Sequence, residues 1–272
     1  MIPKRYITQW GASVPWGIEA QVEQDLLLSR ALIELFNNKE LSETLLFRGG
    51  TALNKIFIQP ASRYSEDIDL VQRKAEPIGK TIDLIKEILS PLLGKASVSR
   101  GEGRASVIYR FESEFEPKIP MRLKIEINTR EHYNFLPIEH KEFIMSSGWF
   151  SGKAILPTYH LNELAATKLR ALYQRKKGRD LYDMVLFLKQ PQFNALDVIA
   201  IFQFYLNKEN KTISRAEYEA NLFNKMSSEL FLRDMDPLLS SDQNWDVREA
   251  YELVTGELVS LLPGNPWRGI AP

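Results

Sequence analysis

The run from Leu45 to Leu70, LLFRGGTALNKIFIQPASRYSEDIDL, constrains the fold more than any other part of the chain. Leu45-Leu46-Phe47 is a short apolar run ended by Arg48-Gly49-Gly50, the pattern of a buried strand feeding a tight turn. Thr51–Phe57 then reads as a short helix, closed by Pro60. A second strand is expected near Ile68–Val71, directly behind the approach Arg63-Tyr64-Ser65-Glu66-Asp67.

The chemistry of this run is specific. Neither Gly49 nor Gly50 has a Cβ, so the backbone there can approach a phosphate closely. The helix that follows presents unpaired N–H groups and the positive end of its dipole. Thr51, at the helix start, can cap the helix or touch phosphate with its hydroxyl. In Asp67-Ile68-Asp69, side chains two apart on an extended chain point the same way, so Ile68 enters the core and both carboxylates face one point. Paired carboxylates are costly unless a cation lies between them. Mg2+ (or Mn2+) suits, as a hard ion that takes one or two carboxylates plus substrate phosphates. Two-metal nucleotidyl transfer needs that arrangement. The plainer reading is an ordinary turn and the wet face of an edge strand. A double glycine alone is weak and a lone Asp-x-Asp weaker; strand, turn, helix and strand in succession make the combination more specific.

Elsewhere the first half mixes strands with helices. Residues 1–17 read as an irregular arm, and 18–38 and 78–93 as helices. Ala105–Glu112 and Met121–Asn128 read as strands. On the second of these, alternation puts Glu126 on a face with Lys124 and Asn128, opposite Leu123, Ile125 and Ile127. Glu126 is therefore a candidate third carboxylate, as metal ligand or general base, if this strand lies beside Asp67 and Asp69. From Leu161 onward only helices are expected, over 161–175, 180–189, 195–206, 214–229 and 246–261. The expected organisation is a sheet domain of the α/β or α+β kind over 1–157 and a helical domain over 158–272.

Composition narrows the function classes. The chain has 272 residues, with 35 Lys and Arg against 35 Asp and Glu, so any nucleic-acid contact must come from a local patch. It has no cysteine, which excludes disulfides, thiolate zinc sites and cysteine nucleophiles. No segment resembles a signal peptide or reaches membrane-spanning length, so a cytoplasmic location and no membrane partner are expected. Walker, hydrolase-elbow and Rossmann motifs are absent, and the three histidines lack zinc spacing.

In the first helix of the second half, Leu161, Leu164, Ala165, Leu169 and Leu172 form the buried stripe, and Lys168 falls on it. A buried ammonium must snorkel or reach an anion such as phosphate or carboxylate. Asp180 and Asp183 follow three apart on the next helix, beside Arg179. Arg170, Arg175, Lys176 and Lys177 form a basic patch with no acid among them, either an RNA contact or a solvated helix end.

RGGTAL followed by RYSEDIDL resembles the nucleotidyltransferase AbiEii toxin family, within the DNA polymerase β-like nucleotidyltransferase superfamily. K-x-x-A-x-x-x-R followed by R-D-x-x-D, here from Lys168 to Asp183, resembles that family's second block. The resemblance covers roughly 40–185 and fades beyond about 200. It implies an α+β fold, with an N-terminal nucleotidyltransferase-type mixed sheet, flanking helices and a C-terminal helical domain closing the cleft. It implies that Gly49 and Gly50 hold a nucleoside triphosphate and that Asp67 and Asp69 bind metal, with a third acid, Glu126, from a neighbouring strand. Arg63 and Ser65 match the lead-in to the aspartates; both can approach phosphate, and Ser65 can instead shape the turn. Lys168 would contact the triphosphate, with Asp180 preferred for chemistry and Asp183 for holding Arg179 or Lys168. The implied activity moves a nucleotide from an NTP to an acceptor hydroxyl, on RNA such as the 3′ end of tRNA, as the toxin of a toxin–antitoxin or phage-defence system with a winged-helix antitoxin as partner. Two alternatives stand beside it: nucleotidylation of a protein side chain, and a catalytically silent binding module.

Overall fold

The computed structural model describes residues 2–239 and 244–269, so positions 240–243 and 270–272 of the expected helical region lie outside the described residues. The chain separates into two compact units, Met1–Tyr159 and His160–Pro272. The first begins with α1 (Lys4–Gly11), α2 (Glu19–Asn37), α3 (Lys39–Thr44), β1 (Leu45–Arg48) and α4 (Gly49–Ala52). A π-helical turn, Leu53–Phe57, leads on to β2 (Asp67–Gln72), α5 (Gly79–Leu93), β3 (Ala96–Gly101) and β4 (Arg104–Glu112). β5 (Pro120–Asn128), β6 (Glu139–Ser146) and β7 (Ser151–Thr158) complete the unit.

These strands form one seven-stranded sheet in the order β3-β4-β5-β2-β1-β7-β6. It is mixed: β1 runs antiparallel to β2, while β2 pairs parallel with β5 and β1 parallel with β7. The fold is therefore α+β with a mixed sheet and flanking helices. Its two faces differ because each strand alternates. Val107, Ile125 and Ile68 lie in register across β4, β5 and β2 and are fully buried. The hydroxyl of Tyr109, on the same face of β4, donates to the Ile85 carbonyl of α5 at 3.4 Å, so this is the face that α5 covers. Asp67, Asp69, Lys124 and Glu126 consequently point the other way.

The N-terminal residues correct the expected irregular arm. Lys4–Gly11 is helical, Ile7 is buried, and Trp10 Nε1 donates to Asp25 Oδ2 of α2 at 2.9 Å. β3 was not expected, because ASVSRG is an exposed polar edge with no apolar alternation. β6 and β7 pair as a hairpin in which Ile144 and Ile155 remain exposed while Met145, Ala154 and Leu156 are buried.

The second unit contains α6 (Leu161–Gln174), α7 (Gly178–Leu188), α8 (Ala195–Lys208), α9 (Arg215–Met226), α10 (Glu229–Leu232) and α11 (Val247–Glu257), with a 3-10 turn at Val259–Leu261. Its helix starts are encoded locally. The Asn194 side chain caps α8, Ser214 and Glu217 form a capping box on α9, and Asp246 caps α11. Leu164, Leu169 and Leu172 of α6 are buried, as are Phe202 and Tyr205 of α8 and Tyr218 and Leu222 of α9. No helix among the described residues is long and apolar enough to cross a membrane.

The buried pair Lys55–Asp25, 2.6 Å apart, ties the π turn to α2. Removing one member strands the other charge, which costs about 3 kcal/mol or more. Asp25→Ala is expected to lower the free energy of unfolding in urea by that amount. The double change Asp25→Ala with Lys55→Met should recover part of the loss in the same unfolding measurement.

Candidate active site

The sheet face turned away from α5 carries the candidate residues. Arg48 of β1, Asp69 of β2, Glu126 of β5 and Ser106 of β4 stand in one row across four strands. Asp67 and Lys124 pair in the adjacent row. Gln24 of α2 fastens this edge, with Nε2 donating to the carbonyls of Arg122 at 2.9 Å and Glu66 at 3.3 Å.

Gly49 and Asp69 meet directly. Gly49 has φ +82°, and a Cβ placed on it would lie 2.1 Å from Asp69 Oδ2. The backbone conformation and the space both demand glycine here. A Cβ on Gly50 would lie 2.2 Å from Arg63 Nη2, so the buried Arg63 guanidinium packs against the second glycine. The Gly50 carbonyl accepts from Asn54 Nδ2 at 2.9 Å, and Arg63 Nη1 donates to the Tyr64 carbonyl at 3.0 Å. The diglycine bend and the aspartates therefore converge.

Thr51 does not cap the helix. The helix begins at Gly49, and the buried Thr51 hydroxyl donates to the Asp67 carbonyl at 2.5 Å and shares a 2.8 Å hydrogen bond with Ser65 Oγ. These two hydroxyls clasp the glycine helix to the start of β2, which places Thr51 and Ser65 in the turn's architecture. The expectation that Thr51 caps the helix is corrected by this contact.

Asp67 is the electrostatically exposed member of the pair. Its Oδ1 is buried without a hydrogen-bond partner. Burial first, and the neighbouring Asp69 charge second, push its carboxyl up to about 6. An unanswered buried carboxylate oxygen beside a second carboxylate is the environment that a divalent cation relieves, so the pair fits one. Glu126 stands in register beside Asp69 and is engaged by a cation of its own. Lys124 Nζ closes on Glu126 Oε2, and no group of three or more His, Asp or Glu able to hold an ion is present among the described residues.

Sequence reading missed two members of this face. Lys124 was visible only as a neighbour of Glu126 in the alternation. Arg48 stands in the RGG motif, and its Nη1 lies 3.1 Å from Oε2 of the buried Glu131. Burial works against the Arg48 charge, but Glu131, then Tyr159 and Asp69, outweigh it and hold the guanidinium protonated.

The second unit gathers the other block. Lys168 Nζ lies 3.1 Å from Asp180 Oδ1 and 2.9 Å from Asp183 Oδ2. Arg175 grips Asp180 with two bonds, Nε to Oδ2 at 2.6 Å and Nη2 to Oδ1 at 2.8 Å. Burial opposes the Asp180 charge, yet Lys168 and Arg175 prevail and hold its carboxyl well below the usual range. The Lys168 ammonium is thus answered by protein carboxylates. Asp180 is fully buried and held ionised by these two cations. Asp183 holds Lys168, whereas Arg179 turns to Asp234, its N–H donating to Oδ2 at 3.1 Å. The basic patch also shrinks: Arg170 is buried on Glu209 at 3.1 Å and stacks 4.9 Å over Tyr205. Lys177 pairs with Asp234 at 3.5 Å, and Lys176 is exposed.

The fold is similar to that of MenT4, a nucleotidyltransferase toxin from Mycobacterium tuberculosis H37Rv, with TM-score 0.71 at 17% identity, over 97% of this chain and 91% of that one. At that identity the likeness speaks for the fold alone, and the fold is that of a nucleotidyltransferase. The family model described as nucleotidyl transferase AbiEii toxin, type IV TA system, matches residues 30–253, and the chain belongs to that family. It is a nucleotidyltransferase of the type IV toxin–antitoxin class. An antigenic nucleotidyltransferase-like protein from Paracoccidioides brasiliensis is similar at TM-score 0.40 and 16% identity, over 68% of this chain and 89% of that one, and bears no weight in the argument. No curated protein sequence matches the chain.

Gly49→Ala adds a positive-φ penalty of roughly 1–2 kcal/mol and drives a methyl into Asp69. It is expected to lower the thermal midpoint and abolish nucleotide transfer together. In the second unit, Asp180→Ala leaves Lys168 and Arg175 facing a gap and is expected to cost about 3 kcal/mol in urea unfolding. The Asp180 contribution is fully present above the ordinary carboxyl value and is lost as pH falls through its depressed one. An acid titration of wild type should therefore lose stability below pH 3.8 that Asp180→Asn never had.

Proposed function

We propose that the protein transfers a nucleotide from a nucleoside triphosphate to an acceptor hydroxyl of RNA, such as the 3′ end of a tRNA, using Asp67 and Asp69 to hold Mg2+ or Mn2+. The single observation that carries the reading is the buried, unanswered Asp67 Oδ1 beside an Asp69 carboxylate pressed against Gly49. Two carboxylates in this setting suit an ion that completes its shell with substrate phosphates and water. Bound there, the cation supplies neutralisation of charge on the phosphates.

The chain's own residues supply the rest. Gly49 and Gly50 let Asp69 and Arg63 pack directly on the bend, where a Cβ would clash with each, and so bring the acid and the guanidinium that face the triphosphate together. Arg63, packed on Gly50, brings a guanidinium to the same bend. Glu126 stands in register beside Asp69 and is the carboxylate assigned to take the acceptor's proton. The acceptor oxygen then attacks the α-phosphorus, and pyrophosphate leaves. Lys124 steadies Glu126 and adds a positive charge next to Asp67. The RNA acceptor and a winged-helix antitoxin partner rest on the motif resemblance, and protein nucleotidylation remains the competing reading.

The test incubates pure protein with each of the four labelled triphosphates, magnesium, and either total RNA or lysate protein. Label is expected in RNA, abolished by chelation and restored by Mg2+ or Mn2+. Asp69→Ala is expected to lower transfer by about a thousandfold or more. Label confined to protein would reject the RNA acceptor, and equal turnover by Asp69→Ala and wild type would put the chemistry elsewhere.

A further inference from the structure

A cavity of about 330 Å3 opens on the same sheet face as the two aspartates. Leu46 and Val71 line it, and they are paired across β1 and β2 two residues along from the pair Arg48 and Asp69. Alternate residues of a strand share a face, so this lining begins about 7 Å from Asp69 along the sheet.

The chemistry of the lining is that of a site for a flat, neutral, hydrogen-bonding ring. Its charged residues cancel: Arg73 and Lys74 stand against Glu43 and Glu131. A phosphate would need a positive excess there; a heterocycle does not. Tyr133, half-buried, adds an aromatic ring to the aliphatic Leu46 and Val71, and bases stack on such rings. Two further lining residues have fixed polarity. His132 Nδ1 must donate, since its partner at 2.9 Å is the Gln72 carbonyl, and Nε2 is then the acceptor of the neutral ring. Asn134 Nδ2 donates to the Leu136 carbonyl at 2.7 Å, leaving Oδ1 as its acceptor. The volume lies at the lower end of the range for small-ligand sites, enough for a base rather than a whole nucleotide.

We infer that this cavity is the nucleobase pocket of the active site, with His132 and Asn134 reading the base edge. The inference rests on the nucleotidyltransferase reading of Asp67 and Asp69 and adds the element that sets base preference. The incoming triphosphate and the terminal nucleotide of an RNA acceptor carry the same chemistry, so the test has two arms.

In the first arm, full-length protein with magnesium is titrated calorimetrically with the α,β-methylene analogues of ATP, CTP, GTP and UTP, and with inorganic tripolyphosphate. The second arm uses short RNAs identical except for the 3′-terminal base. Wild type is expected to separate the best from the worst base by about tenfold or more in one arm. His132→Ala and Asn134→Ala are expected to compress that spread to about twofold, with tripolyphosphate affinity unchanged. Asn134 is exposed, so its truncation spares the fold. Compression among triphosphates assigns the pocket to the incoming nucleotide, and compression among RNAs assigns it to the acceptor. Discrimination kept by both variants, or missing from wild type in both arms, overturns the pocket while leaving transfer at the aspartates standing. Failure of wild type to bind either triphosphates or tripolyphosphate overturns both readings.

Discussion

Asp69 touches the backbone of Gly49, and everything on the active face follows from that contact. One carboxylate oxygen occupies the space next to the Gly49 Cα where any other residue would carry a side chain. The antiparallel register that pairs Arg48 with Asp69 brings the two together. A series of bonds then keeps them there. Lys55 anchors the π turn to Asp25 of α2, Asn54 holds the Gly50 carbonyl, and Thr51 holds the Asp67 carbonyl. Each bond links a different element to the same short bend, so the bend is specified by packing as well as by glycine's freedom. The contact needs both: the glycine makes room, and the bonds use it.

The two units treat clustered carboxylates in opposite ways. Asp180 and Asp183 are fully buried, yet Lys168 and Arg175 answer them with close ion pairs, and Asp180 is stabilised in its charged form. Asp67 is only partly buried, yet one of its oxygens has no hydrogen-bond partner and its ionisation is opposed by burial and by Asp69. A carboxylate whose charge the protein satisfies is a structural device. One whose charge the protein leaves unsatisfied beside a like charge is a request for a ligand. That contrast in environment, rather than residue type or motif, separates the binding acids from the structural ones.

How far this was legible in the sequence depends on the range of each interaction. The diglycine turn, the Asp-x-Asp strand and the alternation of β5 are short-range patterns, and they stand where periodicity and turn chemistry put them. The mixed sheet with flanking helices agrees with the fold implied by the motif resemblance. What could not be read was the identity of distant partners. Nothing near Arg48 announces Glu131, 83 residues on, and nothing near Arg170 announces Glu209, so a guanidinium counted towards an RNA patch is buried in an ion pair instead. Lys168 needed an anion, and the sequence left phosphate and carboxylate equally open until α7 supplied two aspartates. α1 was hidden by its Pro, Gly and Trp neighbours, and β3 and β6 by faces that are largely exposed.

The row Arg48, Asp69, Glu126 and Ser106 gives a reason for the division of labour among the acids. Adjacent strands bring Asp69 and Glu126 side by side, and two like charges there would oppose one another if both were left bare. The chain resolves this by giving each flank of Asp69 a cation of its own: Lys124 for Glu126, and Arg48 beyond Asp69. Arg48 is in turn shared with Glu131, so its charge is not wholly available to neutralise Asp69. Asp67, by contrast, keeps one buried oxygen without a hydrogen-bond partner. Both aspartates stand at the glycine bend, where Asp69 and Arg63 pack against the two glycines. The third carboxylate stands beside the pair, in register with Asp69 and held by Lys124.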